Sequence, residues 1–243
     1  MRKLLVAILG ISVVAAFACG SAAKSAVPTV APTSTPVSDE AFKAAAAKAA
    51  SGIELMVTDL PGGWTGKIHH KSDTKFDLSP ECSSFNDAGV PNAVIDQDSD
   101  DFTDAAKRGV SSGASVYRTH ELALKDTADV MSLLTTCRQE IARAMQAYIV
   151  KDAPGVTAAV TFDLVAPNEL GGWNGGYKLS ISANSATGAN VYQTDVTAIW
   201  KLEDRVVTTF EYDGSTPVEP AMRDALKALL TKRTVDANAA LPN

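Results

Sequence analysis

Two periodicities divide the chain between Ile53 and Asn243. From Glu121 to Ile149, Val130, Leu134, Cys137, Ile141, Met145 and Tyr148 recur at steps of three and four, which predicts one long helix with a single buried face. Cys137 lies on that face and so points into the core. Beyond the Pro154-Gly155 break the period shortens to two. Strands are expected at Val156–Val165, Tyr177–Ala183, Asp195–Lys201 and Val206–Tyr212, the last two joined as a hairpin through Leu202-Glu203-Asp204-Arg205. In that hairpin Val196, Ala198 and Trp200 share one face, and Thr208, Phe210 and Tyr212 share another. A closing helix is announced by Thr216 as cap, Pro217 at the first position and Glu219 completing a capping box. Met222, Ala225, Leu226, Leu229 and Leu230 line its apolar face. A short strand, Ala114–Tyr117, precedes the long helix, and Leu60-Pro61-Gly62-Gly63-Trp64 reads as a turn carrying an aromatic into the core. Helices set apart from a run of antiparallel strands give an α+β class.

The amino-terminal pattern is different. Arg2 and Lys3 precede an apolar run from Leu4 to Phe17, about 14 residues against the about 20 that cross a bilayer. With Ala16-Phe17-Ala18 closing it, the run reads as a signal peptide, residues 1–18. Cys19, followed by Gly20 and Ser21, is then the candidate lipid-attachment residue of a bacterial lipoprotein. Ala16 and Phe17 depart from the usual lipobox, where Leu and a small residue are preferred. The same tripeptide also serves ordinary secretion, which stands as the alternative. Of the three cysteines, Cys19, Cys82 and Cys137, lipidation of the first leaves an even pair. Acyl chains would anchor the protein, each buried methylene contributing about 0.8 kcal/mol.

Gly20 to Ser38 is rich in Ala, Pro, Thr and Ser and reads as a disordered tether. The Ala/Lys-rich stretch from Glu40 to Ala50 follows as a marginal helix with little to bury, stopped by Ser51-Gly52. The expected organisation is a signal peptide over 1–18, an attachment cysteine and tether over 19–52, and one α+β domain over 53–243. That last stretch is long enough for one real core.

Charge narrows the class of partner. The chain carries −6, and loss of Arg2 and Lys3 with the leader takes it to −8. An acidic chain with no clustered Lys/Arg stripe is a poor partner for nucleic acid. No second apolar stretch approaches a membrane span, which leaves a lipid anchor at one end as the contact with the membrane. No phosphate-binding glycine loop, kinase signature or haem motif occurs, and no cofactor is expected.

Candidate chemistry is sparse. Cys82 and Cys137 are expected to form a structural disulfide in an oxidising envelope, since no C-x-x-C spacing supports redox work. Gly109-Val110-Ser111-Ser112-Gly113 matches a hydrolase nucleophile elbow, but a polar segment precedes it and a strand follows. A small-residue hairpin turn fits better. Asp96, Asp98, Asp100, Asp101 and Asp104 lack the Gly and Glu of a calcium loop, with Asp101 and Lys107 in those places, and read as a solvated acidic loop. His69 and His70 are adjacent and diverge, and His120 stands alone, so neither a metal site nor a triad is expected. Trp64 and Trp173, each behind a Gly-Gly turn, are candidate pocket residues, although core packing is the commoner use of such rings.

The Leu60–Thr65 turn, Cys82 ahead of a strand, Cys137 late in Leu133-Leu134-Thr135-Thr136-Cys137, and the 199–212 hairpin before a final amphipathic helix recur together elsewhere. Together they resemble the extracytoplasmic sensor-domain family of actinobacterial envelope lipoproteins, similar to the outer domain of the PknH receptor kinase. The resemblance spans about Leu55 to Leu230. It implies a twisted antiparallel sheet with helices packed on it, and a cleft for an unidentified ligand. Family members often carry two disulfides, whereas this chain can make one. The expectation is a non-enzymatic, lipid-anchored envelope protein that binds a small molecule or a wall component. One alternative is a module that docks another envelope protein. A second is a hydrolase of envelope polymers, which needs Ser111 or Ser112 within hydrogen-bond reach of His69, His70 or His120.

Overall fold

The computed structural model describes residues 37–70, 74–87 and 89–242. The expected signal peptide, Cys19 and the tether through residue 36 lie outside the described residues.

Eight strands among the described residues form one antiparallel sheet. They are β1 (Thr65–Lys67), β2 (Ala93–Asp98), β3 (Asp101–Thr103), β4 (Gly109–Tyr117), β5 (Val156–Leu164), β6 (Gly175–Ser185), β7 (Asn190–Glu203) and β8 (Val206–Gly214). Their order is β1-β3-β4-β8-β7-β6-β5, with β2 running along the same edge of β4 as β3. The β7–β8 hairpin closes more tightly than expected, pairing Glu203 with Val206 across Asp204-Arg205. Asp204 takes a left-handed φ of 47° there, a conformation Asp tolerates better than most side chains.

Helices cover both faces. On one lie α1 (Asp39–Ile53) and α4 (Pro220–Ala239), where Phe42, Ala46, Ile53, Leu226 and Leu230 pack against Val110, Ala114, Val116, Ile199 and Phe210. On the other lies α2 (His120–Asp152), whose Leu134, Cys137, Ile141, Met145 and Ile149 meet Phe162, Leu179, Ile181 and Val196. A short α3 (Pro167–Leu170) links β5 to β6. The α+β class and the antiparallel sheet with packed helices are as the chain pattern predicts. The α2 face is the predicted one from Leu134 to Met145; at its ends Ile149 rather than Tyr148 is enclosed, Val130 is only half-buried, and Ala123 and Asp126 join the buried face.

Three expectations need correction. The stretch placed in the tether is α1, running through Ser51-Gly52 to Ile53 with Phe42, Ala46, Ala49, Ala50 and Ile53 buried. Alanines let its backbone come close to the sheet, so a face with little apolar bulk still buries completely. Ser38 caps it, its hydroxyl accepting from Ala41 N at 3.2 Å. The domain therefore begins near Ser38 and not at Ile53. The closing helix starts at Pro220, with Glu219 at the cap position and no side-chain capping bond, so the box from Thr216 does not form. Pro220 fits the first turn as Pro217 was expected to, one proline later. Ala225 is exposed, and Thr234 and Ala237 complete the buried face instead. Finally, Gly109–Gly113 is no hairpin turn. It is the first part of β4, and the chain reverses at Asp104–Arg108, where Asp104 accepts from Arg108 N and Nε.

Cross-links hold the layers in register. Cys82 and Cys137 form the expected disulfide, with Cα atoms 5.7 Å apart. Arg233 on α4 clamps Asp59 through two 2.8 Å bonds and also donates to Glu54 O. Thr208 and Thr234 share a buried hydroxyl contact at 2.7 Å between β8 and α4.

Candidate functional site

Strand alternation makes the site. On β4 the even positions Val110, Ser112, Ala114 and Val116 face α1 and α4, leaving Gly109, Ser111, Gly113 and Ser115 on the face beneath α2. Side chains this small cannot fill the space below a helix. The carboxyl half of α2 seats on β5 and β6 through large residues, whereas its amino-terminal half stands over this bare strip. A cavity of about 170 Å³ results, roofed by Asp126, Thr127, Val130 and Leu134 of α2. Tyr117, Tyr177, Trp200 and Val207 supply aromatic and apolar walls, and Glu211 of β8 lines it beside Ser111, its cross-strand partner. Asp96 and Asp98 of β2, both exposed, stand at its rim.

Gly113 keeps this floor flat. A Cβ there would lie 2.6 Å from Asp98 Oδ1 and 2.7 Å from Thr209 Oγ1. At the far wall Gly175 pairs with Trp200, and a Cβ on it would fall 2.4 Å from the indole ring. The glycine thus lets the indole lie flat over the sheet.

The electrostatics are one-sided. Burial pushes the Glu211 carboxyl well above the usual carboxylate range, and Asp213, Asp101 and Asp98 push it further. Asp213 is raised to about 6, chiefly by burial and then by Asp101. Burial likewise raises the Tyr177 phenol, with Glu211 adding to it, and the Tyr117 phenol, with Asp126 and Asp96 adding. Tyr117 is fully enclosed, yet its Oη makes no hydrogen bond of normal geometry. The neighbouring acids are better held. Asp126 accepts from Asn92 N and Nδ2, Asp96 accepts from Ser115 Oγ at 2.8 Å, and Asp101 meets His69 Nδ1 at 2.9 Å.

These shifts give a signed expectation. An acid whose folded pKa lies above its unfolded value binds its proton more tightly in the native state, so it favours folding at low pH and opposes it as pH rises. For Asp213 the window runs from its ordinary value of 3.8 to about 6. The denaturation midpoint should therefore climb as pH is lowered through about 6, and Asp213→Asn should remove part of the climb. Urea titrations across this range check it; identical profiles for the two proteins would contradict the assignment.

The sequence-nominated residues fall in several places. Ser111 and Ser112 both border the cavity, but the Ser112 side chain is turned to the opposite face, its Oγ accepting from Leu55 N at 2.8 Å. His69 borders the cavity, His70 is exposed, and His120 reaches Asp204 O at 3.1 Å from the start of α2. Among the described residues no hydrogen bond joins either serine to an imidazole. Trp64 and Trp173 are buried in the core beneath α1 and α4, on the face away from the cavity, and Trp173 edges only a shallow groove beside α4. Trp200 and Tyr177 occupy the place expected for them. The acidic run is not a loop but strands β2 and β3, with Asp96 and Asp98 exposed and turned toward the cavity. No group of three or more His, Cys, Asp or Glu side chains among the described residues is arranged to hold a metal ion. No described helix is long and apolar enough to cross a membrane.

Glu211, Tyr117 and Tyr177 were missed in the sequence. The available signal was the small residue at every second position from Gly109 to Ser115, opposite a strand where Glu211 alternates inward between Phe210 and Tyr212.

No family model matches the chain, and no curated protein matches it significantly. Among solved structures, the chain is similar to the extracellular domain of PknH from Mycobacterium tuberculosis. The match has a TM-score of 0.43 and 12% identity, over 84% of this chain and 98% of that one.

Proposed function

We propose that this protein is a non-enzymatic, sensor-like binding protein that works outside the cytoplasm, held to the membrane by lipid on Cys19, with its ligand site between α2 and the sheet. The cavity is the observation that carries the reading. Protein interiors pack densely, and a space this size walled by three aromatic rings with a few polar groups has the composition of a ligand site. The Cys82–Cys137 disulfide supports an oxidising compartment. It also pins α2 near its middle, which leaves the half over the cavity as the part a ligand would lift or draw down.

Intact mass, native against denaturing, on protein extracted gently from its own envelope tests both halves. A lipid-sized increment surviving denaturation is expected on Cys19; an unmodified cysteine would mean plain secretion. A second adduct, lost on denaturation and absent from a Ser111→Phe variant that fills the cavity, is the expected sign of ligand. An adduct that persists in that variant would place the ligand elsewhere. A clean native spectrum would favour a docking module for another envelope protein.

A further inference from the structure

We infer that the cavity takes a small organic cation, an ammonium group carried on a compact ring or aliphatic body. This rests on the cavity being the ligand site and names what fits it. At about 170 Å³ the space compares with engineered cavities of about 150 Å³ that admit a single benzene ring. Its apolar walls, Leu134, Val207 and the rings of Tyr177 and Trp200, suit such a body.

The polar groups decide the charge. Glu211 lines the cavity with Asp213, Asp101 and Asp98 near enough to disfavour its ionisation, and no ion pair relieves it among the described residues. His69 is the one basic side chain among the described lining residues, and it is engaged by Asp101. An anion entering this site meets carboxylates, and among the described residues no cationic side chain other than His69 lines it to offset their charge. A cation gives Glu211 the opposite charge it lacks, and ionisation of the carboxyl then strengthens the contact.

A second observation points the same way. Tyr117 Oη is enclosed, borders the cavity and makes no hydrogen bond of normal geometry, with Asp126 and Ser115 beside it. A buried polar atom without a partner is costly, and a phenol oxygen kept neutral is a good acceptor for an ammonium N–H. The Tyr177 and Trp200 rings add faces to which cations are attracted. Exposed Asp96 and Asp98 at the rim bias the approach toward positive ligands.

Three near-isosteric probes separate the charge from the shape: 2-phenylethylamine, 2-phenylethanol and 3-phenylpropionate, titrated into the full chain with the Trp200 indole resonance followed by NMR. The amine is expected to bind at least tenfold more tightly than the alcohol, and the carboxylate not at all. Glu211→Gln should bring the amine down to the level of the alcohol while leaving the alcohol unchanged. Equal or tighter binding of the alcohol or the carboxylate overturns the cation assignment and leaves the cavity standing as a ligand site. An amine preference that survives Glu211→Gln overturns the role given to that carboxyl. If none of the three moves the indole resonance, both the cation assignment and the cavity reading fall.

Discussion

Replacing Cys82 and Cys137 together by alanine is expected to destabilise the domain by about 4 kcal/mol, the loop-closure value for a bridge spanning 55 residues. The bridge ties the segment around Ser83 to the middle of α2, and both sulfurs are buried. Alanine rather than serine keeps a hydroxyl from being buried in the same place. Denaturant titrations of the variant and of reduced wild type should give the same midpoint, well below that of the oxidised protein. A loss under about 1 kcal/mol would mean that other contacts already hold the segment. The contenders are the Phe76 ring against Phe85 and Tyr148, at centroid distances of 6.1 and 5.8 Å, and the bonds from Ser79 to Glu140.

Phe42→Ala is the second large effect, expected to cost about 3–5 kcal/mol as for other enclosed aromatics. Only 1% of Phe42 is exposed, and its ring packs into the core from the first turn of α1 with the Arg118 guanidinium 4.2 Å above it. Lys43→Ala, one residue along on the exposed face, should stay within about 0.5 kcal/mol. The contrast between neighbours separates a core helix from a tether. Two equally small effects would return residues 39–52 to the tether, as the composition first suggested.

How much was legible follows from how local each signal is. The α2 helix shows in the sequence because its seam of Leu134, Cys137, Ile141 and Met145 repeats over many turns. The β7–β8 hairpin shows because alternation flanks a tight turn. The α1 helix was visible as a helix but not as core, since Ala46, Ala49 and Ala50 become apolar contacts only when a sheet and α4 come within their short reach. Strand β4 was half hidden. Gly109, Ser111 and Gly113 have the local chemistry of a turn, and what makes them a strand is β8 on one side with β2 and β3 on the other, residues far away in sequence. The aspartates of β2 and β3 were misread for the same reason. A strand one of whose faces is exposed can carry charges that a fully covered strand cannot.

From the order of its residues alone, this chain specifies the α+β class, the antiparallel carboxyl half, the long central helix and the pairing of two cysteines, because each is encoded by short-range period or by a small count of reactive groups. The cavity and its chemistry belong to the tertiary structure. They arise where the amino-terminal half of α2 passes over the bare strip of β4, bringing Tyr117, Tyr177, Trp200 and Glu211 together from four separate strands. An unfilled volume is a relation among distant elements, and no stretch of neighbouring residues contains it.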